Sequence, residues 1–113
     1  MPDDCLFCRI ANGEIPAKIV AEDSDSIAFR DINPQAPTHV VIIPRAHVAS
    51  LDAATEAEMI GRLALMAARV ARDEGIDKSG YRTVINTGPA AGQTVFHIHM
   101  HLLGGRPMRW PPG

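Results

Sequence analysis

Residues 95–103 read VFHIHMHLL, and the alternation inside this stretch decides how the rest of the chain is organised. Side chains on a strand point alternately to opposite faces, so a strand here sends His97, His99 and His101 one way and Ile98, Met100 and Leu102 the other. Successive imidazoles on that face stand about 7 Å apart at Cα, near enough to share one substrate group. The apolar set needs a partner to bury against. The histidine face is then left to solvent or a ligand.

The partner lies upstream. Between Thr55 and Glu74, apolar residues Met59, Ile60, Leu63, Met66, Ala67 and Val70 recur at helical spacing and predict one long amphipathic helix. Thr55 with Glu58 reads as a capping box, and Gly75 supplies a stop. Before it, 17–22 and 26–30 predict a hairpin around Asp23-Ser24-Asp25, and the two prolines of 31–38 make a loop that feeds a buried strand at 39–44. After it, 81–87 and 95–103 predict two more strands joined by the loop GPAAGQ. A short helix at 5–11 closes at Asn12-Gly13. The expected class is α+β: an antiparallel meander of about five strands, one long helix and one short N-terminal helix.

The 113 residues suit one domain, 1–113, with 104–113 as a Gly- and Pro-rich tail. A net charge of −2 with scattered Lys and Arg gives no footprint for nucleic acid or an anionic membrane. No apolar run is long enough to span a bilayer, and the acidic start MPDDC lacks the features of a signal peptide, which leads to an expected cytoplasmic location.

Histidine titrates near neutrality, and its neutral ring is a nucleophile toward phosphorus or a ligand for zinc. Two histidines of the strand can chelate one ion, but the third sits too far out, so a metal would need ligands from elsewhere. Cys5-x-x-Cys8 has the spacing of half a zinc knuckle. A thioredoxin-like redox reading needs a strand before the first cysteine, for which residues 1–4 are too few. The loop 88–94 has glycines that let backbone amides approach an anion, though it also reads as an ordinary turn.

The motif HIHMHLL resembles the His-φ-His-φ-His-φ-φ signature of the histidine-triad family, where φ is apolar. IPAKIV, AFRDINPQAPTHVVIIPRAH and INTGPAAGQTVFHIHMHLLGGRPMRWPPG are similar, over nearly the whole chain, to its nucleotide-binding Hint branch. The resemblance implies a homodimer whose sheets join, binding a purine nucleotide of AMP or GMP type. It implies hydrolysis of purine nucleoside 5'-phosphoramidates and related nucleotidyl conjugates. His99 would attack phosphorus and carry the nucleotidyl group, and His101, as a cation, would bind phosphoryl oxygens. His39 would support the triad by setting a tautomer.

On the same basis Asn86, Gln93 and Thr94 contact phosphate in a cradle that includes Gly92 and Val95, and Thr94 helps protonate the departing amine. The branch carries Ser at that point, so Thr94 is a small departure. Asp31, otherwise a turn or cap residue, would accept hydrogen bonds from the ribose hydroxyls. Leu6, Phe7, Ile10 and Phe29 would form the base slot, though each could equally be core. Trp110 would lie near the partner's site. Members that keep the cysteine pair imply His47 and His97 as the remaining ligands of a structural zinc with Cys5 and Cys8, and no cofactor for the chemistry. Two other functions stay open: a dinucleoside polyphosphate hydrolase, and a nucleotide- or zinc-binding regulatory module with little turnover.

Overall fold

In the computed structural model, residues 4–113 are described, and the acidic start at 1–3 lies outside them. The expected α+β meander forms. In chain order the elements are α1 (Leu6–Ala11), β1 (Ile19–Glu22), β2 (Ser26–Arg30), β3 (Thr38–Pro44), α2 (Ala57–Asp73), β4 (Tyr81–Val84) and β5 (Met100–Gly104), with a single 3-10 turn at Pro89–Ala91. All strands pair antiparallel in the order β1-β2-β3-β5-β4.

Both faces of the sheet are covered, since β2 and β3 are buried at nearly every position. Ala28, Val40, Ile42, Met100 and Leu102 meet Leu63, Met66, Ala67, Val70 and Ala71 of α2. This is the helix face read from the sequence. Ile27, Phe29, Val41 and Ile43 point the other way and meet Phe7 and Ile10 of α1. In the β3–β5 register Val41 lies opposite His101, which puts His101 on the α1 side.

Two local expectations change. The capping box at Thr55 and Glu58 is not made: α2 starts at Ala57, its N-cap Glu56 has no side-chain cap bond, and Glu58 instead accepts from Arg62 Nη2 at 3.2 Å one turn on. The strand expected at 95–103 begins only at Met100, so His97 and His99 precede it. The register gives the reason. Continuing Ile42 opposite Met100 by two residues sets Ile98 opposite Pro44, which has no N–H to donate to a ladder. Ile98 donates instead to Val48 O at 2.6 Å. Likewise 81–87 narrows to Tyr81–Val84.

Candidate functional site

Leaving the ladder buries the histidine face instead of exposing it. His97 is fully enclosed and His99 is 8% exposed. Phe7 stands edge-on to His99 with ring centroids 5.0 Å apart, and edge-on to Phe29 at 5.6 Å. The open histidine surface expected from alternation is therefore replaced by a cleft edge roofed by α1.

Hydrogen bonding fixes which nitrogen of each ring carries a proton, because a carbonyl can only accept. His99 donates from Nδ1 to the carbonyl of His97 at 2.8 Å, which leaves a lone pair on Nε2. That nitrogen has no partner among the described residues, and it is not sealed off: Ser26 Oγ is the one buried side-chain polar atom among them that lacks a partner. A basic nitrogen aimed out of an apolar surround is suited to nucleophilic attack.

A second chain of bonds holds His101. The Gln35 amide donates to His39 Nδ1 at 3.0 Å, so His39 carries its proton on Nε2 and donates it to His101 Nδ1 at 2.8 Å. His101 is left with its proton on Nε2. Burial, with His99 and His39 close by, pushes the His101 pKa down to about 4. His39 is also pushed down, by burial that the Asp31 charge only partly offsets. The free protein thus holds His101 as a neutral donor, where the sequence reading had a cation. Asp31 Oδ2 lies 3.4 Å from His39 Nε2, and Oδ1 accepts from the Asn33 amide at 2.8 Å, so its turn role is real while one oxygen faces the relay.

The loop before the histidines is braced from inside. Gln93 is buried, accepting from the Gly88 amide at 2.9 Å and donating to the carbonyls of Ala49 and Val95 at 2.8 and 3.2 Å. Both its amide hydrogens are committed, so Gln93 shapes the cradle and has none left for a phosphate. Gly88 and Gly92 take φ of +85° and +87°, as glycine readily does. Thr94 is exposed with no side-chain partner among the described residues, and Val95 packs on the Phe7 cluster. Asn86 is half-buried. Phe7, Ile10 and Phe29 are brought together beside His99, whereas Leu6 is 44% exposed. Trp110 is 82% exposed.

The second constellation sits behind the first. Cys5 Sγ and Cys8 Sγ each lie 3.5 Å from His97 Nδ1, Cys8 Sγ lies 3.3 Å from His47 Nδ1, and the four ligand atoms are mutually within 4.8 Å. Bonds of about 2.3 Å to sulfur and about 2.0 Å to nitrogen put neighbouring donors of a tetrahedron about 3.5 Å apart, so this set fits zinc. His97 Nε2 donates to the Pro44 carbonyl at 2.8 Å, which turns its Nδ1 lone pair to the thiols. Without an ion, burial and the neighbouring Cys5 raise the Cys8 thiol to about 11. A cavity of about 310 Å³, by Ser24, Arg45 and Glu56, is lined by no residue of either constellation.

The family resemblance implied a supporting role for His39 near the triad, and the structure supplies the bond to His101; the edge-on Phe7 was not disclosed, since it joins residues distant in the chain. Residues 12–108 match the HIT domain. The chain belongs to the HIT family. Among relatives of this HIT protein, the purine nucleoside phosphoramidase of Escherichia coli K12 is 46% identical over 96% of this chain and 92% of its own. The 14 kDa zinc-binding protein of Zea mays is 52% identical over 96% of this chain and 87% of its own. The crystal structure of a HIT family hydrolase from Legionella pneumophila Philadelphia 1 superposes with a TM-score of 0.95 at 51% identity, over 97% of this chain and all of that one.

Proposed function

We propose that this HIT protein hydrolyses the P–N bond of purine nucleoside 5'-phosphoramidates and related nucleotidyl conjugates through a nucleotidyl intermediate on His99. The observation that carries this reading is the His99 Nδ1–H bond to the His97 carbonyl, which leaves Nε2 as a fixed, unprotonated nucleophile. Nε2 attacks phosphorus, a P–N bond to histidine forms, and the bond to the amine breaks. The amine leaves with a proton drawn from solvent through the hydroxyl of Thr94, while the neutral Nε2–H of His101 hydrogen-bonds a phosphoryl oxygen without giving up its proton. Water then attacks the same phosphorus: its oxygen forms the new P–O bond, the P–N bond to His99 breaks and the water's proton passes to solvent, which returns the ring and releases the nucleoside monophosphate. The backbone amides of Thr94 and Val95 donate to no protein group among the described residues and are free to meet the phosphoryl oxygens.

The nucleotide lies with its base on Phe7, Ile10 and Phe29 beside exposed Leu6, and its ribose toward Asp31. Gly92 and Gln93 shape the phosphate loop. Asn86 joins them, since the β4–β5 register continued two residues past Val84 sets it across from His99. Cys5, Cys8, His47 and His97 hold a structural zinc. Four protein ligands leave no open position, so the ion supplies rigidity to the site and no reacting group. Two copies join through the β4 edge, supported by the apolar patch Ala64, Leu65 and Ala68 on the outer side of α2, where Leu65 is 73% exposed. Trp110 then reaches the partner's site. Thiolate ligands suit the reducing cytoplasm, and among the described residues no helix is long and apolar enough to cross a membrane.

The test is incubation with adenosine 5'-phosphoramidate, following AMP release. Wild-type turnover is expected, with His99→Ala reduced about a thousandfold or more. Retained turnover in that variant removes the mechanism, and preference for a dinucleoside polyphosphate moves the protein to the other hydrolase reading.

A further inference from the structure

His99 precedes β5, so the sheet does not hold it in place. What does hold it converges on the Cys/His cluster from three directions. Its Nδ1–H bonds the carbonyl of His97, itself one of the four ligands. The next amide back, Ile98, donates to the carbonyl of Val48, the residue after His47. Phe7, which lies between Cys5 and Cys8, stands edge-on to both His97 and His99, at 6.0 and 5.0 Å.

We infer that occupancy of the Cys5–Cys8–His47–His97 cluster positions His99: a bound metal clamps α1, the 45–50 segment and His97 into one body, and its loss frees the nucleophile's ring and the Phe7 roof together. This rests on the metal reading above and adds a regulatory consequence, that metal supply sets the rate of a reaction in which the ion takes no part. His97, through its carbonyl, and Phe7, through its ring, are positioning residues.

The discriminating variant is Cys5→Ser. Cys5 is also the N-cap of α1, its sulfur accepting from the Cys8 amide at 3.3 Å. Serine is a good N-cap and a poor zinc ligand, so this change keeps the helix start and weakens only the metal corner. The full chain, labelled uniformly with ¹⁵N, is compared as zinc-loaded wild type, chelator-treated wild type and Cys5→Ser, with metal content measured for each. In the zinc-loaded protein His99 is expected as a single Nδ1–H tautomer with a protected Ile98 amide. Losing the metal is expected to mix the tautomers and to speed Ile98 exchange at least tenfold, with Val41 exchange in β3 unchanged. Turnover falls through kcat more than through KM.

Should chelation unfold the chain, seen as loss of Val41 protection, the comparison rests on Cys5→Ser, where the same tautomer mixing is expected at partial metal affinity. Zinc loss with His99 and Ile98 unaltered overturns the inference and leaves the metal site standing. A chain that takes up no zinc overturns both, and metal analysis alone reveals that case.

Discussion

His101 and Ser26 are both buried polar groups, and they predict opposite behaviour. His101 sits at about 4 in the fold against about 6.5 for a free histidine, so the unfolded chain binds the proton first as pH falls. Its folded pKa is depressed, so native stability is full above about pH 6.5 and drains away toward pH 4, by on the order of 2 kcal/mol once the shift of this partly exposed ring is discounted for solvent screening. Thermal or denaturant unfolding between those limits checks this, and His101→Gln is expected to flatten the slope. Ser26 is 1% exposed and its hydroxyl bonds nothing, so the fold already bears its desolvation. Ser26→Ala is expected to be neutral or stabilising by up to about 1 kcal/mol in denaturant unfolding. The histidines themselves were legible because period-two alternation needs only local sequence. Their proton positions were not: those depend on the carbonyl of His97 and the amide of Gln35, which acquire their roles only when the backbone is placed.

Among the elements, α2 was legible in length and face but not at its first turn. Sequence offers Thr55 and Glu58 as a reciprocal pair, yet the chain stays extended through Glu56, at φ −111° and ψ 110°, and Arg62 claims the Glu58 carboxylate. Thr55→Ala is therefore expected to change stability by less than about 0.5 kcal/mol, whereas Glu56→Ser, which installs the missing cap, is expected to add about 1 kcal/mol. Both are read from urea midpoints. The start of β5 was misjudged for a comparable reason, since its position is set by a proline in another strand. Its far end is fixed by backbone geometry: Gly105 has φ +88°, and a Cβ there would lie 2.9 Å from Pro37 Cβ. Gly105→Ala is expected to cost about 1–3 kcal/mol, measured the same way.

On the scale of the whole molecule, the sequence disclosed the class, the strand count and the layer on the α2 side. It did not disclose that α1 closes the opposite face, because six residues of LFCRIA carry too little periodicity to assign a packing surface. That closure puts the Phe7, Ile10 and Phe29 cluster, His99 and the Cys/His cluster within one small volume. If that cluster holds zinc as proposed, removing the ion is expected to lower the unfolding midpoint by several degrees, and the midpoint is expected to rise with the logarithm of free zinc once the site is saturated, which a titration of the midpoint against zinc checks.

The sheet's two free borders are unlike. The outer strand on one side, β1, breaks its pairing rhythm between Ile19 and Ala21, whereas β4 runs regularly with side chains alternately outward and half-covered. An irregular border is a poor template for a further strand. Growth by strand addition is thus open in one direction and closed in the other. Two chains meeting at their regular borders present only irregular ones to the outside, so the geometry that permits a pair also ends the series there.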